Sequence, residues 1–240
     1  MNIAIIFAGG VGKRMNSKGI PKQFLEVNGV PIIIHTLKIF QKCRDIEGIV
    51  IACVKEYIDY MYLLAEEYNI KKICSIVEGG ETGQESIYNG LKTAKDIALE
   101  GKHIVLIHDG VRPLIDENLL YRNIESVMRY GSGISSVSAK ETIVLSENNE
   151  FVEQTTKREQ TYLVRAPQSF WLDDILYHYE RAKQEKLEFI DSCTLMSYYG
   201  KNLHMVNTSY QNIKITTPED YYLFKALLMA KENAQIMGVE

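Results

Sequence analysis

Nothing in these 240 residues is long and apolar enough to cross a bilayer, since no hydrophobic run approaches the ~20 residues that span a hydrocarbon core. The apolar stretch at the N-terminus is too short for a secretory signal and lacks a basic leader, so a cytoplasmic protein with no membrane attachment is expected. Cysteine is scarce and scattered. Cys43, Cys53, Cys74 and Cys193 form no C-x-x-C pair and no Cys/His ligand spacing, and they read as buried free thiols in a reducing compartment. An excess of positive charge is missing too: the net charge of −4 argues against a surface that coats nucleic acid, so any basic cluster must act locally. Internal repeats, low-complexity tracts and flexible linkers are also absent, which predicts one domain over residues 1–240.

What is present is an ordinary globular composition, 46% hydrophobic and 24% charged, sufficient for a substantial core. Strand-like runs near 2–8, 48–54, 73–77, 103–108, 133–139 and 203–207 alternate with helical periodicity near 31–43, 57–68, 84–97, 117–130, 173–184, 191–199 and 218–235. Asp116 has the position of an N-cap, and Thr217-Pro218-Glu219-Asp220 joins an N-cap, a proline in the first turn and an acid three residues after the cap. The alternation predicts an α/β fold with a doubly wound, mostly parallel Rossmann-like sheet. Residues 140–165 break this rhythm. β-propensity flanks Glu147-Asn148-Asn149-Glu150, which predicts a projecting β-hairpin arm; a solvent-exposed surface hairpin would carry the same local signals.

The most informative stretch is Asn2–Lys22, where an apolar strand runs into a glycine-rich loop with cations. Gly9, Gly10 and Gly12 allow a sharp turn that presents bare N–H groups to an anion. Lys13, Arg14, Lys18 and Lys22 supply the charge that several phosphates in a row require. Neither common glycine motif fits. Arg14 stands where a P-loop needs a hydroxyl after Gly12-Lys13, and Met15 stands at the last glycine of a dinucleotide fingerprint. A plain surface turn would need the glycines but not the cations.

A-G-G-x-G-x-R-M followed by P-K-Q-F resembles the signature of the cytidylyltransferases of the methylerythritol-phosphate and ribitol-phosphate type. The resemblance continues through Val77-Glu78-Gly79-Gly80 with Ser86, His108-Asp109-Gly110-Val111-Arg112-Pro113, Ala166-Pro167-Gln168-Ser169-Phe170 and Asn212 to Asp220. It implies transfer of CMP from CTP to a polyol phosphate with release of pyrophosphate, with Mg2+ as cofactor. Arg14, Lys22 and Lys214 take the family's catalytic positions. Nucleotide binding falls to Ala8, Gly9, Gly10, Gly12, Lys13, Gly79, Gly80, Ser86, Asp109 and Gly110, and acceptor binding to Arg112, Thr142, Arg158 and Lys214. In the family the projecting segment is an arm that reaches across a homodimer, so Thr142 and Arg158 would serve the partner's site.

Chemistry accounts for several of these residue types. Two polyanions must be brought together and charge stabilised on the leaving pyrophosphate, which is electrostatic work for Arg14, Lys22 and Lys214. Asp109 closes an apolar strand at the carboxyl end, where open α/β sheets bind ligands, and its hard oxygens suit magnesium. His108-Asp109 would alternatively suggest acid–base work, which a phosphate nucleophile hardly needs. Lys214, between Ile213 and Ile215, would point opposite to both on a strand, into the same mouth. His35, His103, His178 and His204 lack ligand spacing, and the 15 tyrosines and Trp171 read as packing.

Three departures from the family bear on specificity. Glu81-Thr82-Gly83-Gln84-Glu85 lacks the arginine common after the double glycine, so cytosine recognition rests on the resemblance. Gln211 replaces an aspartate and Ala166 a threonine of the methylerythritol-phosphate branch. Ile190-Asp191-Ser192-Cys193 and the H-D-x-V-R-P block look more like the ribitol-phosphate branch, which favours ribitol 5-phosphate or another alditol phosphate of surface polymers. Methylerythritol phosphate is the alternative acceptor, and a non-catalytic nucleotide-binding module is the reading from another class.

Overall fold

A computed structural model describes residues 1–9 and 19–237. Gly10, Gly12, Lys13, Arg14 and Lys18 therefore lie outside the described residues, and the roles expected of them have no structural counterpart here. In chain order the elements are β1 (Asn2–Ala8), β2 (Glu26–Val27), β3 (Val30–Pro31), α1 (Ile32–Lys42), β4 (Gly48–Cys53), α2 (Ile58–Glu67), β5 (Ile73–Glu78), α3 (Gly83–Ile97) and β6 (Ile104–Asp109). They continue with α4 (Glu117–Tyr130), β7 (Ser132–Ser138), β8 (Val144–Leu145), β9 (Gln154–Thr155), β10 (Tyr162–Trp171), α5 (Leu172–Glu185), α6 (Ser192–Tyr198), β11 (Met205–Asn207) and α7 (Pro218–Met237).

The main sheet runs β11-β7-β10-β6-β1-β4-β5, with β10 antiparallel to both neighbours and the other pairs parallel. Its inner strands β1, β4 and β6 are buried on both faces, which is why they read as continuous apolar runs. Period-two geometry divides them cleanly. Ala4, Ile6, Ile104 and Leu106 join the core under α1, α2 and α4, whereas Ile3, Ile5, Val105 and Ile107 join the core under α3, α5 and α6. Each fully buried isoleucine of this kind stabilises the fold by roughly 1.5–3 kcal/mol relative to exposure. Gly90 lets α3 approach β1: a Cβ there would lie 2.6 Å from Ile5 Cγ2.

The helix ends follow their sequence signals. Asp116 caps α4 by accepting from Leu119 N at 2.7 Å, and Thr82 with Glu85 forms a reciprocal capping box on α3. Asp220 accepts from the backbone N–H groups of Thr216 and Thr217 at 2.8 and 2.9 Å, which ties the start of α7 to the chain that carries Lys214.

Four sequence expectations need correction. β10 is a long interior strand that the periodicity did not reveal, because Pro167 stands inside it and proline demotes a run to an edge or a bulge. The arm consequently spans 139–161 rather than 140–165, its β8–β9 ladder closed by Asn148 Oδ1 accepting from Glu150 N and Phe151 N at 3.0 and 3.2 Å. Lys214 is not on a strand; its irregular segment is held by Ile215 N donating to Val111 O at 3.0 Å. Of the thiols, Cys43 and Cys53 are buried, but Cys193 is only partly covered and Cys74, on edge strand β5, is exposed. Burial pushes the Cys53 and Cys193 thiols up to about 11.

Candidate active site

The order of the sheet reverses beside β1, and the carboxyl ends of β1 and β6 lie side by side, Phe7 in register with Asp109. Such a switch point opens a crevice for ligand. Two adjoining clefts occupy it. The first, about 170 Å³, is lined by Ala8, Gly9, Lys22, Gly80, Ser86 and Asp109 among others. The second, about 240 Å³, is lined by Arg112, Arg165, Ala166, Asp191 and Ser192, and shares Phe7, Gly83, Asp109 and Lys214 with the first.

Backbone contacts shape the first cleft. Gly79 N donates to Cys53 O at 2.7 Å, and Gly80 N donates to Ser86 Oγ at 3.1 Å. Gly9 and Gly79 approach this serine so closely that a Cβ would lie 2.6 Å from Oγ at the former and 3.0 Å at the latter. Glycine is thus required where β1, β5 and α3 converge, and the chain there offers backbone rather than side chain to a ligand. Gln23, buried and unremarked in the sequence beyond the P-K-Q-F block, donates from Nε2 to Ala8 O at 2.6 Å. It fixes the exit of β1 into the glycine loop.

Asp109 joins the clefts electrostatically. Arg112 Nε donates to its Oδ2 at 2.7 Å, and Lys214 Nζ lies 2.5 Å from its Oδ1. Burial alone would raise the Asp109 pKa, but the charges of Lys214 and Arg112 hold it well below the usual carboxylate range. Arg112 also donates to Asn212 O at 3.0 Å, and Asn212 Nδ2 donates to Ala166 O at 2.7 Å. Asn212 therefore locks the Lys214 segment between β6 and β10. Arg112, expected at the acceptor, lines the second cleft and is buried in these contacts.

His108 is not in either cleft. Its ring packs 5.2 Å from that of Phe40, and burial holds the imidazole down to about 4, neutral at physiological pH. Its orientation comes from an Nε2 contact of 3.1 Å to Arg112 O. Gln211 does not reach the crevice either. The turn at 209–212 places it in a separate groove with Leu114, Arg122 and Lys231. Thr142 and Arg158 meet each other, Arg158 Nη2 donating to Thr142 Oγ1 at 3.1 Å, but line neither cleft. Gly110 packs beneath the site, its carbonyl accepting from Thr36 Oγ1 at 3.0 Å.

Among the described residues no group of three or more His, Cys, Asp or Glu side chains is placed to hold a metal ion. Among the described residues Asp109 alone offers a carboxylate to both clefts, its Oδ1 facing Lys214 Nζ and its Oδ2 accepting from Arg112 Nε. A single carboxylate suits Mg2+, which takes most of its ligands from phosphate and water.

Comparison with known proteins agrees with this geometry. A family model described as IspD: 2-C-methyl-D-erythritol 4-phosphate cytidylyltransferase matches residues 2–230. The ribitol-5-phosphate cytidylyltransferase of Streptococcus agalactiae serotype Ia is 50% identical over 240 residues, covering 100% of both chains. The 2-C-methyl-D-erythritol 4-phosphate cytidylyltransferase of Clostridium novyi is 39% identical over 228 residues, 95% of this chain and 96% of its own. The crystal structure of 4-diphosphocytidyl-2C-methyl-D-erythritol synthase from Anaerococcus prevotii superposes with a TM-score of 0.83 at 27% identity, covering 95% of this chain and 96% of that one.

Proposed function

The chain belongs to the IspD family of cytidylyltransferases, and we propose that its acceptor is ribitol 5-phosphate. It is therefore an enzyme, and the reading as a non-catalytic module is set aside. The observation that carries the acceptor assignment is the higher full-length identity to ribitol-5-phosphate cytidylyltransferases, 50% against 39% for a methylerythritol-phosphate enzyme. In the same direction, Ala166 brings no hydroxyl to the second cleft.

In this reading CTP occupies the first cleft, with cytosine and ribose against the backbone of Gly79 and Gly80 and against Ser86, and phosphates toward Gly9 and Lys22. Ribitol 5-phosphate enters the second. An oxygen of its phosphate attacks the α-phosphorus of CTP, the bond to the bridging oxygen of pyrophosphate breaks, and CDP-ribitol and pyrophosphate leave. Lys214, between the clefts, orients the attacking phosphate, and Lys22 stabilises charge developing on the opposite side. Arg14 would share that task. Asp109 holds Lys214 and Arg112 in place, so the cations face the ligands from fixed positions. Members of the family use a divalent metal ion. We assign Mg2+, held by Asp109, which when bound would neutralise phosphate charge.

We further place the whole chain in one nucleotidyltransferase unit that dimerises through the arm and works in the cytoplasm. Support comes from the arm's exposed apolar side chains, Val144, Leu145, Phe151 and Val152, and from the Arg158–Thr142 pair that serves neither cleft of its own chain. Among the described residues no helix is long and apolar enough to cross a membrane. Incubation with CTP, Mg2+ and ribitol 5-phosphate, read as pyrophosphate release and as the mass of the CDP-alditol, tests the assignment. Product from methylerythritol 4-phosphate with none from ribitol 5-phosphate would overturn it.

A further inference from the structure

Arg165 stands on an irregularity of β10. Val164 pairs with Ser136 and Gln168 with Ile134, so β10 takes four steps where β7 takes two. A bulge re-aims the side chains within it. This one brings Arg165 to the wall of the second cleft beside Arg112, Lys214, Asp191 and Ser192. The backbone on either side is pinned, since Arg165 O accepts from Gln168 Nε2 at 3.4 Å and Ala166 O accepts from Asn212 Nδ2 at 2.7 Å.

The carboxylates lining that cleft are already engaged. Asp109 is taken by Arg112 and Lys214. Asp191 Oδ1 accepts from Thr194 N and Oγ1, and its Oδ2 accepts from Gln168 Nε2 at 3.1 Å. Arg165 makes no ion pair among the described residues, and its Nε is buried without a hydrogen-bond partner. Burial, and then the neighbouring charge of Arg112, lower its pKa, as expected of a guanidinium that lacks its anion. Buried polar groups are almost always paired, so an orphaned donor at the wall of a ligand cleft indicates where a ligand atom goes.

We propose that Arg165 is an acceptor-binding residue that clamps the phosphate of the polyol phosphate, contributed by the same subunit that binds CTP. A planar guanidinium grips two phosphate oxygens at once, which fixes the direction of the third toward the shared boundary of the clefts at Lys214. The assignment rests on the cytidylyltransferase reading but not on which polyol phosphate is used.

The test begins with wild-type enzyme, CTP and Mg2+ against ribitol 5-phosphate and methylerythritol 4-phosphate; whichever is turned over becomes the acceptor for the variants. An error in the acceptor assignment thus appears before Arg165 is touched. Arg165→Ala should raise the KM for the acceptor at least about tenfold while the KM for CTP stays within about twofold. Arg165→Lys should recover part of the loss, and inorganic phosphate should compete with the acceptor less well against Arg165→Ala than against wild type. An acceptor KM within about twofold of wild type, or a KM for CTP that rises in step, overturns the proposal. Should Arg165→Ala fail to fold, Arg165→Lys decides: an unchanged acceptor KM in that variant overturns the clamp.

Discussion

Lys214 Nζ lies 2.5 Å from Asp109 Oδ1 although 105 positions separate the two in sequence, at the boundary shared by the two clefts. The carboxylate at the end of β6 serves as the fixed point from which the cations of the site are held. Asp109→Asn removes the charge that Arg112 and Lys214 share, and breaking a buried pair from one side costs about 3–5 kcal/mol. A fall in thermal midpoint together with loss of most turnover and a displaced Mg2+ titration is expected. Wild-type stability and an unchanged titration would contradict the role of Asp109.

Lys22→Ala should leave the fold intact, because Lys22 lines the open first cleft rather than the core. A single electrostatic donor that acts as charge develops is worth on the order of 10²–10³ in kcat. Steady-state kinetics with a denaturation curve separates this loss from unfolding. A near-normal kcat would remove Lys22 from the transition state.

His108 gives the stability a pH dependence of determinate sign. Burial depresses its pKa from 6.5 to about 4, so between those values the unfolded chain binds a proton that the folded chain refuses. Its contribution is complete above 6.5 and declines as pH falls toward 4, by about 1.4 kcal/mol per pH unit. Unfolding free energies from urea titrations at pH 7 and pH 5 should differ by on the order of 2 kcal/mol from this residue, a difference that His108→Phe should remove. A slope that survives the substitution would assign it to other groups.

The arm makes a prediction about assembly. If 139–161 reaches a second subunit, a Lys22→Ala chain mixed with an Arg158→Ala chain yields one hybrid site with neither lesion, and some activity should return. Verified heterodimers that stay inactive would place Arg158 outside the partner's site.

How much of this was legible in the sequence follows from what each signal measures. Apolar periodicity located the strands on which Ala8 and Asp109 sit, and the capping chemistry of Asp116, Thr217 and Asp220 appears where the sequence put it. The glycine at 79 was legible because only glycine tolerates so close an approach to Ser86. β10 was not, since Pro167 masks a strand whose bulge is fixed by tertiary partners such as Asn212. Gln211 lies outside both clefts for a related reason: position beside Asn212 and Lys214 in sequence does not fix direction in an irregular turn. Arg165 carried no periodic or motif signal, and Gln23 none beyond its place in P-K-Q-F; their importance is a property of the partners that the fold gives or denies them.

The proposed joining of CMP to ribitol 5-phosphate is tested most directly by competition between acceptors. Equal concentrations of ribitol 5-phosphate and methylerythritol 4-phosphate, offered together with CTP and Mg2+ below saturation, compare the two kcat/KM values directly in the ratio of products. At least about tenfold more CDP-ribitol is expected, equivalent to about 1.4 kcal/mol of differential transition-state binding. A product mixture dominated by the methylerythritol adduct would contradict it.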